Sequence, residues 1–148
     1  MIMEEVYINI LERLSSELPE LSYIDEDYGQ LEMPETEDHY PVTFPCALIA
    51  EPDTEWEELT GDRQRGRSSI TVRLAMDCYD DSHASSGSYT SVATRHSLAG
   101  RLHRALRHFR PAAAASALVR THSRGYSLPG GIKVVELTFA FRITDSGN

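Results

Sequence analysis

Lysine is nearly missing from this chain: Lys133 stands alone beside thirteen arginines in 148 residues. Almost all positive charge is therefore guanidinium, which stays ionised and matches carboxylates or phosphates in a bidentate fork. Base is also missing from one part of the sequence. Residues 1–62 hold eighteen acids and a single base, Arg13, whereas residues 63–148 hold thirteen bases and five acids, so the parts carry −17 and +8 within a net −9. Such segregation predicts a molecule with unlike electrostatic poles, unless acidic and basic segments lie side by side on neighbouring strands.

Other scarcities exclude whole classes. The two cysteines, Cys46 and Cys78, form no Cys-x-x-Cys pair and lie in strand-like apolar runs, where they read as buried free thiols. No apolar run approaches the roughly 18 residues of a membrane span, and Met1-Ile2-Met3-Glu4-Glu5 lacks the positive region of a signal peptide. The expectation is a soluble chain, located in the cytoplasm when made. A pI near 5.1 speaks against general nucleic-acid binding, although the arginines of the second part keep that option open. No repeat of solenoid length occurs.

What is present reads as one domain over 1–148. Ile2, Val6, Ile10, Leu11, Leu14 and Leu18 recur at helical spacing before Pro19, predicting a helix over 2–18. A short strand or hairpin fits 21–33 and an exposed loop fits 34–43. Phe44 to Ala50 reads as a buried strand. Residues 54–60 are acidic around Trp56 and Leu59, and Gly61 to Gly66 reads as a turn. From Ile70 to Tyr79 apolar and polar residues alternate strictly, the clearest strand in the chain. A polar loop over 80–87 precedes a second helix, about 89–109, with Ser88 or Thr90 as candidate caps and Pro111 as the stop. Val92, Ala99, Leu102, Leu106 and Phe109 share one side of that helix, and Arg95 falls among them as an exception. Two strands, about 117–127 and 132–144, join through Leu128-Pro129-Gly130-Gly131. The expected fold is α+β: an antiparallel sheet of four to five strands against two helices, in the order α-β-β-β-α-β-β.

Catalytic patterns are weak. His96, His103 and His108 lack the i, i+4 spacing of a helical metal site. Asp77, Asp80 and Asp81 with Ser82 miss the calcium-loop pattern and read as a polar turn. No G-x-S-x-G elbow marks an activated serine. The Gly61–Gly66 segment lacks the lysine and hydroxyl of a phosphate loop. The chain is expected to be no enzyme and to use no cofactor or metal.

The interaction candidates are charged. Arg63, Arg65 and Arg67 alternate, so an extended backbone points all three one way. Glu51, Asp53, Glu55, Glu57 and Glu58 are their natural counterpart, within the chain or on a neighbouring copy. Arg101, Arg104 and Arg107 on the second helix extend the basic set. With Arg120 and Arg124 they also define the alternative: a small nucleic-acid-binding or regulatory module.

The order of elements adds a resemblance. An amino-terminal helix, a Phe44-Pro45-Cys46-Ala47-Leu48-Ile49 strand, an Arg-rich hairpin feeding Ile70-Thr71-Val72-Arg73-Leu74, a long helix with Leu102 and Leu106, and a closing hairpin resemble the tail-terminator or tail-completion proteins of long-tailed phages and prophages. The resemblance spans most of the chain and rests on topology, size and pattern. It implies a small α+β fold and hexameric rings that cap a tail tube and meet the head connector, in host cytoplasm during assembly and in the virion tail afterwards. Ring closure requires two different complementary patches per subunit, which opposed charge poles supply.

Overall fold

Helix α1 (Ile2–Glu17) forms where the spacing predicts, and its stripe of Val6, Ile10 and Leu14, continued by Leu18, is fully buried. Each such side chain contributes about 1.5–3 kcal/mol by leaving water, more than any exposed ion pair of the molecule. The computed structural model describes residues 2–33, 40–78 and 89–147. The predicted loop residues 34–39 and 80–87, with Asp80, Asp81, Ser82 and the candidate cap Ser88, lie outside the described residues.

Six strands form one mixed sheet: β1 (Tyr23–Glu26), β2 (Cys46–Ile49), β3 (Asp53–Glu58), β4 (Gln64–Asp77), β5 (Val119–Leu128) and β6 (Ile132–Asp145). Helix α2 (Tyr89–Leu106) lies between β4 and β5 in the chain. The α+β class stands, but the sheet is not purely antiparallel, because β1 runs parallel to β2. Four strands precede α2 rather than three, giving α-β-β-β-β-α-β-β.

The spine is the antiparallel pair β4–β6, fourteen residues each, in register from Gln64↔Asp145 to Asp77↔Ile132. Strands β2 and β3 share the other edge of β4, end to end. Ile49 lies opposite Val72, yet Asp53 lies opposite Ser69, so the β2–β3 side carries one extra residue. The Ala50 N–H still reaches the Thr71 carbonyl at 2.9 Å, and Glu51-Pro52 makes the bulge, where a missing N–H costs no ladder bond.

Strand alternation then sorts the side chains. Ile70, Val72, Leu74 and Met76 of β4 and Leu137, Phe139, Phe141 and Ile143 of β6 face the helices, packing on α1 and on Leu98, Leu102, Ala105 and Leu106 of α2. The opposite face carries a smaller cluster: Leu31, Cys46, Leu48, Ala75, Ile132 and Val134, bordered by Tyr40, Val42 and Phe44. Neither Cys46 nor Cys78 is in a disulfide among the described residues. Cys46 is buried, and burial pushes its thiol up to about 12; Cys78 is half-buried.

Two turn expectations are corrected. The loop between β3 and β4 is closed by the Leu59 N–H on the Arg63 carbonyl at 2.9 Å, and β4 begins at Gln64, so Gly66 belongs to a strand. A Cβ there would lie 2.7 Å from Thr54 Cγ2, 2.9 Å from Ile143 Cγ2 and 3.0 Å from Trp56 Cζ3. The glycine makes room for the cross-strand tryptophan. Helix α2 likewise ends before Pro111: His108 adopts φ 62°, and its N–H turns to the Leu118 carbonyl at 2.7 Å. Arg13, the lone base of the acidic part, donates from Nε to the Ala105 carbonyl at 2.9 Å, a cation placed at the negative end of α2.

A left-handed conformation strains any residue with a Cβ. His108→Gly is expected to raise unfolding stability by about 0.5–1 kcal/mol, read as a higher urea midpoint with unchanged slope.

Candidate functional site

The charged candidates gather on the face of the sheet away from the helices, at the end where β3, β4 and β6 run together. Directly paired residues share a face, so the ladder sets rows of Glu55, Arg67 and Arg142, and of Glu57, Arg65 and Thr144. Arg67 and Glu55 approach only to 4.0 Å and both are exposed, so this pair contributes about 0–1 kcal/mol. Arg63 stands in the loop before β4. Glu51 occupies the bulge, and Asp53 faces Ser69 across the ladder. Glu58 faces Gln64 and points to the helix side. All five acids of the candidate set are exposed. Asp53, Glu57 and Glu58 have no ion-pair partner among the described residues.

The helix arginines divide. Arg101 is held inside the fold: it pairs with Glu20 and reaches the Glu17 carbonyl at 3.3 Å, tying α2 to the end of α1. Its hydrogen bond to Glu20 draws that carboxyl below its ordinary range. Arg104 lies back over Gly100, and Arg107 is exposed. His103 stacks on Phe139 with ring centroids 6.2 Å apart. Burial lowers its pKa, and the charges of Arg120, Arg107 and Arg104 lower it further. Those three guanidiniums therefore share one basic neighbourhood, built from α2 and the start of β5.

The strongest ion pair was not a candidate. Arg73, in the middle of β4, is 8% exposed. Its Nε and Nη2 donate to the two Asp27 carboxylate oxygens at 2.7 and 2.9 Å, Nη1 and Nη2 donate to Glu32 at 3.0 and 2.9 Å, and Nη1 reaches the Tyr126 hydroxyl at 3.1 Å. Burial works against its charge, but these bonds outweigh it and raise its pKa. The network fastens the segment after β1 onto the sheet. A single polar residue in an alternating strand looks like any solvent-facing position, and nothing local distinguishes Arg73 from Thr71.

Half-buried Arg95 keeps its place among the apolar positions of α2, with a buried Nε that has no hydrogen-bond partner among the described residues. Among the described residues, no three His, Cys, Asp or Glu side chains gather as a metal would require, and no helix is long and apolar enough to cross a membrane.

No family model matches the sequence. No curated protein matches it either. Among solved structures, a chain from the virion of a native gene transfer agent (GTA) particle is similar over 95% of this chain and 92% of that one, with a TM-score of 0.56 at 11% identity. The likeness spans nearly the full length of both chains, and it is a likeness of fold.

Two measurements test this geometry. Arg73→Met leaves the half-buried Asp27 without its cation and is expected to cost about 3–5 kcal/mol; adding Asp27→Asn should recover part of that loss, in a double-mutant cycle read by urea unfolding. His103 has a folded pKa below its ordinary value of 6.5, so the unfolded chain binds its proton more readily. Its contribution to stability is present above pH 6.5 and is lost as pH falls through the lower folded value. A His103→Gln variant should show a flatter decline of Tm over that interval.

Proposed function

We propose that this protein is a structural component of a phage-like particle: a tail-terminator-type subunit that closes into a ring, caps a tail tube and presents a surface to the head connector. It acts through surfaces and is not an enzyme. The observation that carries the reading is the fold shared, over nearly the full length of both chains, with a component of a gene transfer agent virion. The order of elements in the sequence points to the same class, and the charges exposed on separate strands are what a heterologous ring contact uses.

The test is co-assembly. Purified protein mixed with tail tubes lacking it should bind the tube end and stop further lengthening, seen as ring-capped tubes by electron microscopy. Tubes that never acquire the protein, at any ionic strength, would sink the proposal. A second reading is favoured by the basic neighbourhood of Arg104, Arg107 and Arg120: contact with nucleic acid. It predicts duplex affinity falling steeply between about 50 and 200 mM salt, with Arg107→Ala reducing the slope by about one.

A further inference from the structure

We propose that copies of this chain join head to tail by extending the sheet, the acidic edge strand β3 of one copy pairing with the basic edge strand β5 of the next. The inference rests on the assembly reading above and names the contact that reading leaves open.

Three strands lie at the edges of the sheet, and the two longer ones, β3 and β5, are of opposite sign; the third, β1, is only four residues long. Strand β3 pairs only with β4, and β5 only with β6, among the described residues. Among the described residues, backbone hydrogen bonds cover the approach to β5 just before it begins, where Leu118 exchanges them with His108 and Phe109. From Val119 to Gly125 every residue is exposed. In β3, five of six residues are exposed.

An edge of this length offers unpaired backbone groups to any passing strand, and proteins normally blunt it with charge. Here the blunting is asymmetric. Strand β3 carries Asp53, Glu55, Glu57 and Glu58 and no base; β5 carries Arg120, His122 and Arg124 and no acid. A second β3 approaching β3 meets like charge, as does β5 approaching β5, so both two-fold pairings are disfavoured. The unlike pairing is left. It is heterologous, and repeated contacts of that kind build a ring or a helix instead of a closed dimer.

Each edge also exposes an apolar anchor, Trp56 at 41% and Val119 at 52%. Backbone hydrogen bonds with such anchors are the means by which added strands bind. Part of the charge is answered within the chain, Glu55 by Arg67 and Arg124 by Glu136. Asp53 and Glu58 on one edge, and Arg120 and His122 on the other, have no ion-pair partner among the described residues. Their direct neighbours in the ladder are the uncharged Ser69, Gln64, Phe139 and Thr138.

Those four positions allow a charge exchange that spares the fold. Asp53→Arg/Glu58→Arg brings β3 from −4 to 0 and Arg120→Glu/His122→Glu takes β5 from +2 to −1, so in each variant these four positions carry the same sign on both edges. Sedimentation velocity of the wild type at low ionic strength should show association. Each variant alone should associate about tenfold or more weakly, and an equimolar mixture of the two should recover the wild-type species. That rescue cannot come from a misfolded protein. Far-UV circular dichroism confirms each fold, and the single changes Glu58→Arg and His122→Glu replace any double variant that fails. Wild-type association with no loss in the variants, or loss without rescue on mixing, overturns the edge pairing and leaves tube capping to stand on its own test. Variants that associate normally but no longer bind tubes would assign the edges to the tube, also overturning it. A wild type that stays monomeric at low salt and high concentration overturns the pairing as well, whereas tube capping fails only if tubes too remain bare.

Discussion

The fourteen-residue register between β4 and β6 is the constraint from which the rest of the molecule follows. A slip of one residue would turn every side chain of one strand to the opposite face. Ile70, Val72, Leu74 and Met76 would then meet solvent, and Arg65, Arg67 and Arg73 would be driven among the leucines of α1 and α2. Transfer of even one uncompensated charge into that core outweighs several buried methylenes, so the apolar and charged sets together lock a single register. Once β4 is fixed, its other edge has room for two short strands laid end to end, and the bulge at Glu51-Pro52 lets them follow one twisted neighbour.

Part of the charge split in the sequence is resolved by this arrangement. Arg73 is satisfied by Asp27 and Glu32, Arg101 by Glu20, and Arg67 faces Glu55, each a base of the second part meeting an acid of the first. The pairs differ greatly in weight. At the surface, ions about 4 Å apart in high dielectric gain about 1 kcal/mol before entropy and salt reduce it. Arg73 is different because its partners replace lost hydration with four charge-assisted hydrogen bonds, and removing either side strands the other. Segregation along the chain is therefore in part a record of which segments become neighbours. What is left over includes the acids of β3 and of the exposed side of α1, and the bases on the outer face of α2 and at the start of β5.

Long periodic segments were legible from sequence. Helix α1 matches its predicted stripe almost residue for residue, and β4 from Ile70 onward and all of β6 alternate as expected. The first part of β4 was hidden because its helix-facing positions are Gly66 and Ser68, which carry no apolar signal. The missing volume there is supplied from the neighbouring strand by Trp56 and Thr54, a compensation visible only in three dimensions. The parallel pairing of β1 with β2 was hidden for a related reason: four residues, half-buried, hold too little pattern to announce a partner some twenty positions away. Among the interaction candidates, the facing of an acidic strand and an arginine strand was readable from their spacing. The internal commitment of Arg101 and the burial of Arg73 depend on the 17–32 segment returning to the sheet and α2, which no local signal encodes.

An open sheet must dispose of its edges, and this one does so in three ways. Strand β1 is only four residues long and carries Asp25 and Glu26, too short and too acidic to recruit a partner easily. Strands β3 and β5 are longer, and they are protected by charges of opposite sign. Protection against aggregation alone would work with either sign on both edges, and a uniformly acidic pair would suit a chain of net −9 better. Placing the bases on β5 forgoes part of that mutual repulsion. The arrangement suppresses like-with-like pairing while lowering the barrier to one specific unlike contact, so it specifies direction as well as solubility. A subunit built this way has a front and a back, and a directional contact is the minimum that a closed ring demands of its parts.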